Sequence, residues 1–215
     1  DMDMAYKVLK CMIAMGLAPG VRTWNVVVNG LCQQNALNEA MDIVENMSAR
    51  SDVKPDVVTF TTLIRGWCKR GDMEMATKVF DLASKMNVVP DVVSYTTVIR
   101  GWCERGCEDR AIKVMKQMKE AGVRPNVVTF TTLIRSYCKN KNMSAAMSVL
   151  DVMRESGLRP NDRTYNTLIQ GWIELKEMDR AMDLFKKMKR NKRVRPNIVT
   201  YNLVINGWAR SMSNM

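Results

Sequence analysis

Histidine is absent from this 215-residue chain. The side chain most often used for acid–base chemistry near neutral pH is therefore missing. No glycine-rich phosphate loop and no paired-carboxylate motif takes its place, so no catalytic residue can be assigned and the chain does not read as an enzyme. Zinc would have to be held by thiolates or carboxylates alone, and no metal, cofactor or small-molecule substrate is expected. No apolar run approaches the roughly 18–20 residues needed to cross a bilayer, so membrane insertion is not expected. Residues 1–10 include acidic side chains and lack the charged-then-apolar order of a targeting segment.

Acidic residues are in deficit. Lys and Arg number 33 against 22 Asp and Glu, a formal net charge of +11. Such a surface gains by neutralising phosphates, which indicates an anionic partner, either nucleic acid or a lipid surface. With apolar residues at 47%, the chain has enough to bury and is not a disordered tail.

Proline is scarce, and its few positions are periodic. Pro19, Pro55, Pro90, Pro125, Pro160 and Pro196 lie 36, 35, 35, 35 and 36 residues apart. Periods of this size are the signature of a solenoid. Counting from the residue two beyond each proline gives repeats 21–56, 57–91, 92–126, 127–161 and 162–197, with partial repeats at 1–20 and 198–215. The two longer repeats carry their extra residue just before the closing proline, in 48–54 and 189–195, where an insertion lengthens a loop. The chain thus opens inside a second helix and closes in a first one. That implies a fragment of a longer array, since solenoid ends normally carry polar caps.

The columns of this layout describe two helices. Position four is always aromatic (Trp24, Phe60, Tyr95, Phe130, Tyr165, Tyr201). Val28 or an isoleucine follows four residues on, and Leu31, a tryptophan or Tyr137 seven residues on. That spacing draws an apolar stripe down a first helix. Gly71, Gly106 or Asn35 marks a break at position fifteen. Alanine then recurs at position twenty (Ala5, Ala40, Ala76, Ala111, Ala146, Ala181), followed by large apolar residues, as expected of a second helix packed closely on the first. Cys32, Cys68, Cys103 and Cys138 fall once per repeat on the same helix, a packing register of free thiols and not a pairing scheme.

The string Val57-Val58-Thr59-Phe60-Thr61-Thr62-Leu63-Ile64 returns nearly unchanged at 127–134 and begins again at Ile198. With the Ala, Phe and Met of the second helix and the closing Gly-Val-Arg-Pro-Asn of 122–126, the chain resembles the pentatricopeptide repeat family over essentially its whole length. The tetratricopeptide family, with a period of about 34, fits less well, because it expects glycine where this chain has Val28, Ile64, Ile99, Ile134, Ile169 and Ile205. The resemblance implies an all-α, right-handed superhelical α-solenoid of helix-turn-helix repeats. It also implies single-stranded RNA as partner and an organellar role, in mitochondrion or chloroplast, in RNA stabilisation, processing or translation. The alternative it leaves open is a structural subunit of an organellar ribosome or another large ribonucleoprotein complex.

In that family each repeat reads one base through position five and its last residue, while position two packs against the base faces. Position five is Asn25, Thr61, Thr96, Thr131, Asn166 and Asn202; the last residues are Asp56, Asp91, Asn126, Asn161 and Asn197. Helix capping alone would also favour small polar side chains at both places. An ionised Asp only accepts and so suits the imino N–H of U or G, whereas an Asn amide donates to the bare ring nitrogen of C or A. Adding the family rule that Thr or Asn at position five separates purine from pyrimidine, the expected target is 5′-UGAACY-3′, with U the alternative to C at the fifth base. Position two supplies Val58, Val93, Val128 and Val199, with Arg22 and Arg163 departing from the apolar pattern. Arg65, Arg100 and Arg135 recur one turn past position five, and Lys69 and Lys139 stand at position thirteen, where Glu104 and Glu174 break the series. These five basic residues form a candidate phosphate track. The basic run 186–195 is a weaker candidate for the same role.

Overall fold

The computed structural model describes residues 2–49, 53–190 and 193–212, so part of each insertion loop, at 50–52 and 191–192, lies outside the described residues. The described residues form helices and no strand. In chain order they are α1 (Met2–Ala14), α2 (Val21–Gln33), α3 (Leu37–Ala49), α4 (Val57–Arg70), α5 (Met73–Lys85), α6 (Val92–Glu104), α7 (Glu108–Glu120), α8 (Val127–Lys139), α9 (Met143–Glu155), α10 (Asp162–Glu174), α11 (Met178–Arg190) and α12 (Ile198–Met212). The chain divides into two compact units, residues 1–101 and 102–215. No described helix is long and apolar enough to cross a membrane.

Each helix starts and stops for local reasons. Asp56 and Asn126 close capping boxes on α4 and α8, and Asp72 and Asn142 cap α5 and α9 through their side chains. The first helices end on a left-handed residue at position fifteen. Gly71 and Gly106 occupy it, as does Asn35, but so do Lys141 (φ 59°) and Lys176 (φ 62°), two side chains that give no such signal in sequence. The backbone N–H groups of Gly71 and Asp72 return to the Trp67 carbonyl and close the end of α4.

In the first unit α2 packs on α3 and α4, and α4 packs on α5. In the second, α8 packs on α9 and α10, and α10 packs on α11 and α12. First helices therefore stack on first helices. Ala40, Ala76, Ala111, Ala146 and Ala181 are wholly buried, and Met47, Met118, Met153 and Met188 fill the space two turns further on. Arg110 and Arg180 lie over the rings of the position-eleven tryptophans, Trp102 and Trp172, each 4.7 Å from the centroid.

The cysteine column packs against a glycine column of the following repeat. A Cβ on Gly66 would lie 3.2 Å from Cys32 Sγ, and one on Gly171 would lie 3.0 Å from Cys138 Sγ and 2.7 Å from Met143 Sδ. All six cysteines are free thiols. Burial pushes the Cys103 and Cys138 thiols up to about 12, while Cys11 and Cys107 are exposed. Iodoacetamide at mildly alkaline pH is expected to label Cys11 and Cys107 rapidly and to spare Cys103 and Cys138 until denaturant is added. Peptide mass spectrometry checks this, and a single labelling rate for all of them would contradict the packing.

Candidate nucleic-acid interface

The residue that ends each repeat also begins the next first helix. Asp56, Asn126 and Asn161 are N-caps in extended backbone, and their side chains accept from the backbone N–H of Thr59, Thr129 and Thr164. Asp91 and Asn197 accept in the same way from Ser94 N at 2.8 Å and Thr200 N at 3.0 Å. Capping commits one atom of each side chain and thereby decides what the other can do. At Asn161, Oδ1 takes both Thr164 N and Thr164 Oγ1 at 2.9 Å, so the outward atom is Nδ2, a donor. An aspartate in the same place presents a second acceptor. Capping and base reading are thus compatible roles of one side chain.

Position five lies one turn into the helix. Thr61, Thr96 and Thr131 are buried, whereas Asn25 and Asn166 are half-buried and Asn202 is exposed. The asparagines at this position are thus more exposed than the threonines. Asn25 Nδ2 donates to Asp56 Oδ1 at 3.1 Å, which joins the two expected readers of repeat 21–56 directly. Partial burial raises the Asp56 carboxyl, but hydrogen bonds from Thr59, Asn25 and Val58 outweigh it and hold the group below its ordinary range. It is therefore ionised at neutral pH and accepts only.

Position three links these readers. Thr59, Ser94, Thr129, Thr164 and Thr200 are buried polar residues. The Thr59 hydroxyl donates to Asn25 Oδ1, and the Thr200 hydroxyl donates to Asn166 Oδ1 at 2.8 Å. Thr61 Oγ1 lies 2.7 Å from Ser94 Oγ, and Thr131 Oγ1 lies 2.9 Å from Thr164 Oγ1. This column is not among the site residues expected from sequence, although it carries a signal there: position three is Ser or Thr in every repeat, Thr23 included.

Val58, Val93, Val128 and Val199 all stand 52–58% exposed, and Arg22 and Arg163 are exposed at the same position. Val58, Thr62, Arg65 and Lys69 follow one another at helical spacing, so the apolar position, the arginine ladder and the position-thirteen lysine share one stripe. Arg65, Lys69, Arg100, Arg135 and Lys139 are exposed. In the second unit a groove of about 680 Å³ gathers several of these side chains. Asn166 and Asn197 line it together with Arg163, Val199, Arg135 and Lys139. Glu174 also lines it and accepts from Gln170 Nε2 at 2.9 Å, so the basic track is interrupted here. Lys186, Lys187, Lys189 and Arg190 are exposed on α11 and do not line this groove.

A family model described as the PPR repeat family matches residues 19–66, 55–104, 90–139, 125–173 and 163–210. Among curated proteins, the chain is similar to a pentatricopeptide repeat-containing protein of Arabidopsis thaliana, 36% identical over 67 residues, which is 31% of this chain and 9% of that protein. Another from the same plant is 30% identical over 80 residues, 37% of this chain and 16% of the relative. A third, named as chloroplastic, is 35% identical over 65 residues, 30% of this chain and 8% of the relative. The chain therefore matches only a small part of the length of these relatives. Among solved structures, the maize pentatricopeptide repeat protein PPR10 superposes with a TM-score of 0.75 at 21% identity, over 100% of this chain and 35% of that one. PPR10 in complex with an 18-nt psaJ RNA element gives a TM-score of 0.50, over 100% of this chain and 38% of that one, again at 21% identity. The PPR domain of A. thaliana protein-only RNase P 1 in complex with tRNA gives 0.64 at 16% identity, over 85% of this chain and 95% of that one. At these identities the likeness establishes the fold, an all-α helical-repeat solenoid.

Proposed function

This chain belongs to the pentatricopeptide repeat family, and we propose that it binds single-stranded RNA, one base to each repeat. The observation that carries the reading is the groove in which Asn166 and Asn197 face the same space between Arg163 and Val199, beside Arg135 and Lys139. Two hydrogen-bonding side chains meet the edge of one base there, the residues at position two meet its faces, and the cations meet the backbone. The bound structure of the similar PPR10, with its RNA element, supports RNA as the ligand.

The atoms turned outward support the base assignments. In repeat 21–56, an Asn25 N–H beside the Asp56 carboxylate complements a uracil carbonyl and imino group. Asp91 offers an acceptor for G in repeat 57–91, and the Nδ2 of Asn126 and Asn161 offers a donor to the N1 of A. In repeat 162–197, Asn166 and Asn197 both donate, which favours C. With Asn202 adding a pyrimidine, the target is 5′-UGAACY-3′. The chain acts by holding a transcript, in an organelle, and carries out no chemistry on it.

Fluorescence anisotropy with labelled 5′-UGAACU-3′ in a neutral flank tests this against the RNA with every purine and pyrimidine exchanged, at two salt concentrations. At about 1–3 kcal/mol per base, the matched RNA is expected to bind at least roughly 100-fold more tightly. Equal, salt-sensitive binding of both would reduce the chain to a basic scaffold, and no binding of either would favour a protein partner.

A further inference from the structure

Building on the base-by-base reading above, we infer that the base specificity of the repeats with asparagine at position five has a third determinant, the hydroxyl at position three of the repeat that follows. Thr200 positions Asn166, Thr59 positions Asn25, and the specificity of a repeat is therefore written across its junction with the next.

The argument is one of proton inventory. A hydroxyl has a single hydrogen and two lone pairs. The Asp56 N–H donates to Thr59 Oγ1 at 3.1 Å, and the Asn197 N–H donates to Thr200 Oγ1 at 3.2 Å, so each hydroxyl already accepts on its cap side. Its one hydrogen lies within reach of two oxygens, and the position-five amide oxygen of the preceding repeat is the nearer: Thr200 Oγ1 is 2.8 Å from Asn166 Oδ1 and 3.1 Å from Asn197 Oδ1, and Thr59 Oγ1 likewise lies nearer Asn25 Oδ1 than Asp56 Oδ1. At Asn25 the ionised Asp56 also holds the amide, since a carboxylate 3.1 Å away accepts only from Nδ2. At Asn166 no carboxylate performs that task, because the last residue is Asn197, whose Oδ1 accepts from Thr200 N and whose Nδ2 donates to Asp162 Oδ2 at 2.9 Å. The Thr200 hydroxyl is thus what turns Asn166 Oδ1 inward and Nδ2 towards the groove. In the threonine repeats the same two columns meet, with Thr131 Oγ1 2.9 Å from Thr164 Oγ1, but the Thr164 hydrogen also reaches Asn161 Oδ1 at 2.9 Å, so the directed contact to a position-five amide belongs to the asparagine repeats.

Without the hydroxyl, either end of the Asn166 amide can face the base. An outward Nδ2 favours C, and an outward Oδ1 favours U. Thr200→Val keeps the shape and deletes the hydroxyl, while Thr200→Ser keeps the hydroxyl. The experiment compares wild type, T200V and T200S on two RNAs that differ only in C or U at the fifth base. A lost hydrogen bond of ordinary strength is expected to lower the C-over-U preference about fivefold in T200V, with T200S restoring it and circular dichroism confirming the fold of all three. A loss of affinity that is equal for both RNAs would mark Thr200 as a cap only and overturn the inference. A second readout needs no RNA. The side-chain amide signals of Asn166 in 15N-labelled protein, identified by their disappearance in Asn166→Asp, are expected to move in T200V and not in T200S. Should wild type show no base preference anywhere, the reading beneath fails, and the Asn166 amide still decides the positioning: unmoved in T200V, the inference falls.

Discussion

Asp56→Asn is expected to change the first preferred base from U to C. The substitution replaces an outward acceptor with an outward donor and leaves the cap in place, because Asn Oδ1 can accept from Thr59 N as Asp56 Oδ1 does at 2.9 Å. Asn25 Nδ2 keeps the capping oxygen as acceptor for one hydrogen, so its other hydrogen and the new Nδ2 are the two donors that suit the ring nitrogen and carbonyl of C. The expected penalty on U-first RNA is about 1–3 kcal/mol, roughly 5–150-fold in affinity, with a matching gain on C-first RNA. Asn and Asp cap almost equally well, so the thermal midpoint should stay within a few degrees of wild type. Anisotropy on two RNAs that differ only in the first base reads the result. Equal weakening of both would mean that Asp56 contributes only charge and capping.

Phe130→Ala is expected to lose about 3–5 kcal/mol, the largest single effect on stability considered. The ring is wholly buried on α8 and ranks among the largest fully buried side chains of the protein. The environment of this column is shown by Tyr95, whose ring meets Phe80 edge-on at 4.8 Å, and by Tyr201, which meets Phe185 at 5.4 Å. The aromatic at position four thus packs on the second helix of the repeat before it, and its loss loosens a junction as well as a helix. Because solenoid repeats depend on their neighbours, the cost should appear as a lower urea midpoint and as faster amide exchange in α7 and α8. An unchanged midpoint would mean that the neighbours collapse into the space.

Much of this was legible before any coordinates. The proline period, the aromatic and alanine columns and the Asp and Asn caps all report local chemistry. A cap acts over three residues and an apolar stripe over one or two turns, so sequence spacing describes them directly. The stripe of Val58, Arg65 and Lys69 was legible for the same reason, since helical spacing alone places those residues on one face.

The remaining features depend on residues more than 25 positions apart. In sequence Thr59 and Thr200 are members of a repeated string, and only stacking makes them partners of Asn25 and Asn166, 34 residues away. Glycine inside a helix is unfavourable by propensity, and only stacking shows that Gly66 and Gly171 make room for Cys32 and Cys138. One junction departs from that scheme. Ser136 stands where Gly66 and Gly171 stand, and Glu108 stands where Leu37, Met73 and Met143 stand. Ser136 Oγ lies 3.1 Å from the Cys103 carbonyl and 2.6 Å from Glu108 Oε1, and Asn140 Nδ2 also donates to Glu108. A polar pair has replaced an apolar one, and neither member makes sense without the other. By itself the sequence determined the repeat, the helices and the identity of the outward side chains, because those follow from neighbours along the chain. Only the tertiary structure decided which hydroxyl meets Asn25 and Asn166, because Thr59 and Thr200 are brought up to them by the stacking of the next repeat.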